Sequence, residues 1–178
     1  MISLRAIALD EWPLYRDVRL QALLESPDAF GSTYGAEVDR TDEAWSSRVS
    51  AALTSGNDRA LFARSNGEVC GLVWCKLSAL EPERADIYQM WVAPASRGQG
   101  VGRALLGEAV AWATANGAKR ICLGVTVGDT PAMRLYRGFG FVPSGPVEPL
   151  REGSTLMSQP MERRLAMAPD SRSTLRTG

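Results

Sequence analysis

Between Met90 and Arg103 an apolar run, Met90-Trp91-Val92, passes through Ala93-Pro94-Ala95-Ser96 into Arg97-Gly98-Gln99-Gly100-Val101-Gly102-Arg103. Val101, Ala104, Leu105, Ala109 and Trp112 then recur at helical spacing. A strand that enters a helix through spaced glycines points to an α/β fold. The same turn is built to hold phosphate. Glycines at 98, 100 and 102 strip the main chain of side chains, so that successive N–H groups can converge on a pyrophosphate at the positive end of the helix. Arg97 and Arg103 add charge beside it.

Two familiar phosphate turns do not fit. A P-loop requires Gly, four residues, then Gly-Lys-Ser/Thr, and no such run occurs. The dinucleotide fingerprint requires a third glycine where this chain has Arg103, and no acidic ribose contact follows the helix, which sets a nicotinamide enzyme far behind.

Upstream, Ile2 to Ala8 reads as a strand, and Trp12, Leu14, Tyr15, Val18, Ala22 and Leu23 as the apolar face of a helix stopped by Ser26-Pro27. Thr41 opens a second helix that runs through Leu53 and ends near Gly56-Asn57. Arg59–Ser65 and Val69–Leu80 read as strands joined by the Asn66-Gly67 turn, and a fourth strand covers Arg84–Val92. After the glycine turn, Asn116-Gly117 closes the helix and Ile121, Leu123, Val125 and Val127 alternate as a strand. Asp129 or Thr130 caps a short helix with Pro131 in its first turn. Phe141-Val142 and Leu156–Leu165 complete the sheet, with Pro143–Gly153 as a loop. At 178 residues and 45% hydrophobic composition the chain suits one domain, over residues 1–165, with 166–178 expected as a mobile tail.

Twenty basic and twenty acidic side chains cancel, which gives no reason to expect nucleic acid or an anionic membrane as partner. No leader segment or bilayer-length apolar run is visible, so the cytoplasm is the default location. Cys70, Cys75 and Cys122 lie in apolar strands without metal or redox spacing and read as buried thiols, not as nucleophiles. There is no histidine, which removes the commonest general base and the commonest zinc ligand, and no metal is expected.

The turn reads Arg-x-x-Gly-x-Gly across Arg97, Gly100 and Gly102, and is followed by Asp129-Thr130-Pro131-Ala132-Met133-Arg134-Leu135-Tyr136-Arg137-Gly138-Phe139-Gly140-Phe141. The two linked patterns, over about residues 84 to 141, resemble the GNAT superfamily of acyl-CoA-dependent N-acetyltransferases. The resemblance implies a mixed, strongly twisted sheet of six to seven strands with helices on both faces. It also implies acetyl-CoA as co-substrate, and direct attack by a primary amine within a ternary complex. The turn, Arg97 to Arg103 with Gln99 and Val101, would hold pyrophosphate. A strand bulge near Met90-Trp91-Val92 would splay two strands and let the main chain of Met90 and Val92 pair with pantetheine. Asp129 stands where the family has asparagine; together with Met133 it would face the pantetheine arm.

Acyl transfer needs a neutral amine, a donor for the developing oxyanion and a proton for the departing thiolate. A main-chain N–H at the bulge is the expected oxyanion donor. Tyr136, at the family's Leu-Tyr position, resembles the tyrosine that protonates sulfur; at helical spacing it also reads as a packed core aromatic. Asp86 aligns with the strand carboxylate that some relatives use as base through water, or is an edge charge paired with Arg84. Tyr88, Tyr34 and Glu81 are weaker substitutes. The acceptor walls fall on Phe30, Gly31, Ser32, Thr33, Tyr34, Trp74, Tyr88 and the 143–153 loop. Six carboxylates between Glu25 and Glu43 against one arginine, Arg40, suggest either an acidic mouth for a cationic amine or a solvated helix face, and the latter fits better. A small-molecule amine leads over a peptide one, and the family allows a homodimer that no sequence feature decides. The alternative is an acyl-CoA-binding or regulatory domain that does no chemistry.

Overall fold

A computed structural model describes residues 1–166; apart from Ala166, the expected tail lies outside the described residues. In chain order come β1 (Ile2–Ala6), α1 (Trp12–Glu25), α2 (Tyr34–Glu37), α3 (Asp42–Ser55), β2 (Asp58–Ser65), β3 (Glu68–Leu77) and β4 (Arg84–Val92). They are followed by α4 (Val101–Ala115), β5 (Arg120–Thr126), α5 (Pro131–Gly138), β6 (Val142–Pro143), β7 (Glu148–Pro149) and β8 (Met157–Arg164). The strands form one sheet in the order β1-β2-β3-β4-β5-β8-β6, with β7 also on β8. Every pairing is antiparallel except β4 with β5, which are joined by the α4 crossover.

Local chemistry sets most of these boundaries. Thr41 Oγ1 accepts from the Ala44 N–H at 3.2 Å and caps α3, and Gly56 at φ 71° ends it. Asn66 at φ 51° and Gly67 at φ 85° give the doubly left-handed turn that suits the twist of the β2–β3 hairpin. At the end of α4 the Ala118 N–H donates to the Ala113 carbonyl at 3.0 Å around Gly117. The expected α/β fold with a mixed sheet is present, with eight strands instead of six or seven. The difference arises because Val142–Pro143 and Glu148–Pro149 each bridge to β8 inside the segment read as loop. The four-residue α2 carries too few turns for a periodic pattern, and only the Thr33 side chain accepting from Ala36 N–H at 3.2 Å marks its start.

Alternation along the central strands divides the core in two. Leu61, Val73, Cys75, Ala85, Ile87 and Ile121 pack on one face against Leu105, Leu106 and Ala109 of α4 and Tyr136 of α5. Phe62, Leu72, Trp74 and Trp91 pack on the other against Tyr15, Val18 and Leu23 of α1 and Trp45 and Val49 of α3. Gly71 of β3 allows α4 to lie close: a Cβ there would sit 2.9 Å from Leu105 Cδ1, 3.0 Å from Val101 Cγ1 and 3.1 Å from the Trp91 carbonyl. Gly71→Ala is therefore expected to destabilise the protein by about 1–3 kcal/mol, the usual range for overpacking, read as a lowered denaturation midpoint. Among the described residues no helix is long and apolar enough to cross a membrane, and no group of His, Cys, Asp and Glu is arranged to hold a metal ion.

Candidate active site

The site begins with an irregularity in β4. Leu72 pairs with Trp91 and Trp74 with Tyr88, so Gln89 and Met90 face the single residue Val73. Two residues opposite one is a bulge, and Gln89 takes it at φ 55°, a left-handed conformation uncommon for a residue with a side chain. Its amide is anchored: Gln89 Oε1 accepts from the Tyr15 hydroxyl at 2.7 Å. The added residue resets the alternation, so Tyr88 and Trp91 lie on the α1–α3 face while Met90 and Val92 pack toward α4.

The same strand leaves its parallel neighbour early. β4 pairs with β5 only from Arg84 to Asp86, opposite Arg120 to Cys122, whereas β5 stays paired with β8 to Thr126. The resulting gap opens toward the N-terminus of α4. There Gly98 at φ 74° and Gly100 at φ 84° adopt conformations that disfavour any side chain, and a Cβ on either would meet no atom within 4 Å. Gly102 serves differently. Its Cβ would lie 3.2 Å from Leu135 Cδ2 and 3.6 Å from Met90 Cε and Val92 Cγ2, so it lets β4, α4 and α5 meet instead of clearing space for a ligand.

The side chains of the turn mostly brace it. Gln99 Nε2 donates to the Ala95 carbonyl at 2.8 Å. Arg97, expected over phosphate, instead donates to the Val92 carbonyl at 3.0 Å, to Glu25 at 2.6 Å and to Ser26 at 3.3 Å. Trp91 Nε1 donates to the same Glu25 carboxylate at 3.0 Å. Burial pushes the Glu25 carboxyl up, but hydrogen bonds from Ser26, Trp91 and Arg97 outweigh it and hold the group below its usual range. Arg103 is exposed and lies 5.2 Å from the Phe139 ring centre, and Val101 is buried beneath the turn.

Thr130, not Asp129, caps α5: its Oγ1 accepts from the Met133 N–H at 3.2 Å. Asp129 is exposed and paired with Arg134 at 2.7 Å. Met133 and Tyr136 are buried, the tyrosine edge-on to Phe141 with ring centres 6.0 Å apart. Burial alone drives the Tyr136 phenol well above its ordinary value, so it stays protonated at neutral pH. Asp86 lies in a two-pronged grip from Arg84, at 3.0 and 3.1 Å from Nε and 2.7 Å from Nη2. Of the substitutes, the Tyr88 phenol is pushed up by burial and by the Asp86 charge, which favours the protonated form over a base. Glu81 pairs with Arg84 and Arg120.

On the α1–α3 face a cavity of about 830 Å³ reaches from α3 to the bulge. Of the residues named from sequence as acceptor walls, Phe30, Gly31, Ser32, Trp74 and Tyr88 line it, together with Gln89, whereas Thr33 and the 143–153 loop do not. Tyr34 does not; it borders a separate, shallower depression with Leu20, Leu24 and Glu25. The sign of the charge also departs from the acidic mouth considered from sequence. Arg19, Arg40, Arg48 and Lys76 line the cavity against only Glu37 and Asp58, because Glu25 is drawn to Arg97 and Asp42 to Arg16. Arg19 escaped the sequence reading although it occupies a core position of α1, four residues after Tyr15 and three before Ala22. A lone arginine on an apolar helix face is the signal that marks it.

The family model described as Acetyltransferase (GNAT) family matches residues 18–141. The mycothiol acetyltransferase of Corynebacterium glutamicum is 35% identical over 81 residues, covering 46% of this chain and 27% of that protein. The streptothricin acetyltransferase of Streptomyces lavendulae is 34% identical over 90 residues, covering 51% and 47%. The chain thus spans from about a quarter to about half the length of the curated relatives it matches. Among solved structures, an acetyltransferase of the GNAT family from Streptococcus pneumoniae superposes with TM-score 0.80 at 22% identity, covering 93% of this chain and all of that one. An acetyltransferase from Salmonella typhimurium, solved with its cofactor acetyl-CoA, does so with TM-score 0.75 at 20% identity over 96% and 99%.

Proposed function

The chain belongs to the GNAT acetyltransferase family, and from that premise we propose that it transfers an acetyl group from acetyl-CoA to a primary amine, most simply a small one, by direct attack in a ternary complex. The observation that carries this reading is the pairing of a split between β4 and β5 with an open glycine turn at its mouth. Bound acetyl-CoA supplies an activated thioester. The residues present fit it: Gly98 and Gly100 leave the N-terminal N–H groups of α4 bare on the side where no Cβ intrudes, the cradle a pyrophosphate needs. Arg103 adds an exposed cation. Arg97 steadies the turn through Glu25, and because it also occupies the Val92 carbonyl, Met90 becomes the stronger main-chain partner for pantetheine. Met133, buried in α5, and Asp129, exposed just before it, are the candidate contacts for the pantetheine arm.

A main-chain N–H at the bulge would be the donor to the oxyanion that develops on the thioester. Tyr136 stays protonated and is the candidate donor to the departing thiolate; burial weakens the phenol as an acid, so the transfer requires a thiolate desolvated to a similar degree. Asp86 shares the face of β4 that carries Tyr88 at the cavity wall, and is the candidate base through water, oriented by Arg84. Phe30, Trp74 and Tyr88 form the acceptor walls. The names of the relatives, mycothiol and streptothricin acetyltransferases, support acetyl transfer and a small acceptor.

The test is thiol release from acetyl-CoA with and without amines, beside calorimetric titration of acetyl-CoA. Saturable binding with amine-dependent thiol release is expected; binding with no release from any amine would favour a domain that holds acyl-CoA without chemistry. Gly100→Val should weaken acetyl-CoA binding about tenfold or more, since a β-branched residue at φ 84° strains the turn by about 1–3 kcal/mol. Unchanged affinity in that variant would remove the turn from the cofactor site.

A further inference from the structure

We propose that the amine acceptor carries an oxyanion, a carboxylate or phosphate on the same molecule as the amine, recognised by Arg19 and Arg48 at the α1–α3 end of the cavity. The inference rests on the acetyl-transfer reading of the bulge and names the acceptor class for that site.

Arg19 is 4% exposed, and its Nε and Nη2 are satisfied by Glu37 at 3.3 and 3.0 Å. Its remaining nitrogen, Nη1, is buried with no hydrogen-bond partner. A guanidinium nitrogen out of water with its donors unmet is costly unless something supplies an acceptor. Glu37 offsets only one unit of the surrounding charge, since it pairs with Arg19 and, at 3.8 Å, with Arg40 as well.

Arg48 borders the same cavity from α3, 5.7 Å from the Trp74 ring centre, and Lys76 borders it from β3. Neither forms an ion pair among the described residues, and Asp58, the other carboxylate on the wall, accepts from Trp74 Nε1 at 2.8 Å and from Ser55. The cavity therefore has a net positive wall, with the buried Arg19 guanidinium set 4.9 Å from the Phe30 ring centre, and reaches Gln89 of the bulge at its other end. Such a lining repels polyamines and suits the planar, two-pronged recognition of an oxyanion. One molecule can then place its anion at the arginines and its amine at the bulge.

The experiment compares matched acceptors: amino acids against their amides, and phosphoethanolamine against ethanolamine, with spermidine as the cationic extreme. Native protein and Arg48→Gln are assayed by thiol release and, independently of turnover, by calorimetry. The anionic member of at least one pair is expected to show kcat/KM about tenfold or more above its partner, equivalent to about 1.4 kcal/mol, and Arg48→Gln to erase that preference through KM. The carboxylate and phosphate arms say which oxyanion is used. Turnover of neutral or cationic amines at equal or higher efficiency overturns the inference and leaves acetyl transfer standing. If no amine is acetylated although acetyl-CoA binds, the transfer reading fails. Calorimetry then decides the anion site: binding of the anionic member that weakens about tenfold in Arg48→Gln keeps it, and equal or absent binding removes it.

Discussion

Tyr136→Phe is expected to lower kcat about 10²- to 10⁴-fold, the span that general acid catalysis supplies, while acetyl-CoA affinity changes less than about twofold. The separation follows from where Tyr136 sits. Its ring is packed against Phe141 in the layer beneath α4, so phenylalanine keeps the packing and removes only the hydroxyl. A small loss of stability leaves the comparison intact, because affinity and rate are measured on folded protein. Equal kcat in mutant and native protein would show that the sulfur takes its proton elsewhere and that Tyr136 is a core aromatic. The pH profile adds a second readout: because burial raises the phenol, the native rate should not fall from loss of this proton anywhere near neutrality.

Glu37→Ala is expected to cost about 3–5 kcal/mol of folding stability, a large share of the roughly 5–15 kcal/mol that keeps a domain folded, seen as a lowered denaturation midpoint. Glu37 is 2% exposed and is the carboxylate that neutralises Arg19 inside the protein. Removing it strands a buried guanidinium 4.9 Å from the Phe30 ring centre. The double replacement Arg19→Met/Glu37→Leu should recover much of the loss, since well-packed apolar side chains replace a buried pair at little cost. It should at the same time lose any preference for anionic acceptors. If Glu37→Ala melts like the native protein, the pair is not neutralising a buried charge.

The sign of the accompanying pH dependence is fixed. Burial pushes the Glu37 carboxyl up, but Arg19, Ser32 and Arg40 outweigh it and leave the folded-state value below the unfolded one. The contribution is complete above about pH 5 and is lost as pH falls through the folded value, so the native protein should lose stability in acid faster than the double variant.

What the sequence disclosed was local. Thr41 and Thr130 announce helix starts through their own hydroxyls, Asn66-Gly67 announces a hairpin through its backbone, and the glycine turn announces itself by composition. Features that depend on distant partners stayed hidden. Gln89 looks like any strand residue until Tyr15, 74 positions away, takes its amide. Arg97 resembles a phosphate ligand until Glu25, 72 positions away, claims it. Gly102 belongs to the motif by spacing, yet its reason is the approach of Leu135. The charge around the cavity could not be summed from neighbours in the chain, because Arg19, Arg48 and Lys76 come from three separate elements.

The early parting of β4 from β5 creates two sheet edges in the middle of the sheet. Edges are ordinarily a hazard, since a row of unpaired peptide groups is a template on which another chain can add a strand and begin to aggregate. Here the two edges face one another across a slot narrowed where Gly102 brings Leu135 against Met90 and Val92. The protein thereby carries open hydrogen-bonding backbone between two strands of its own sheet. On the proposed binding mode, acetyl-CoA should protect the amides of β4 from hydrogen exchange more than those of β1 or β2.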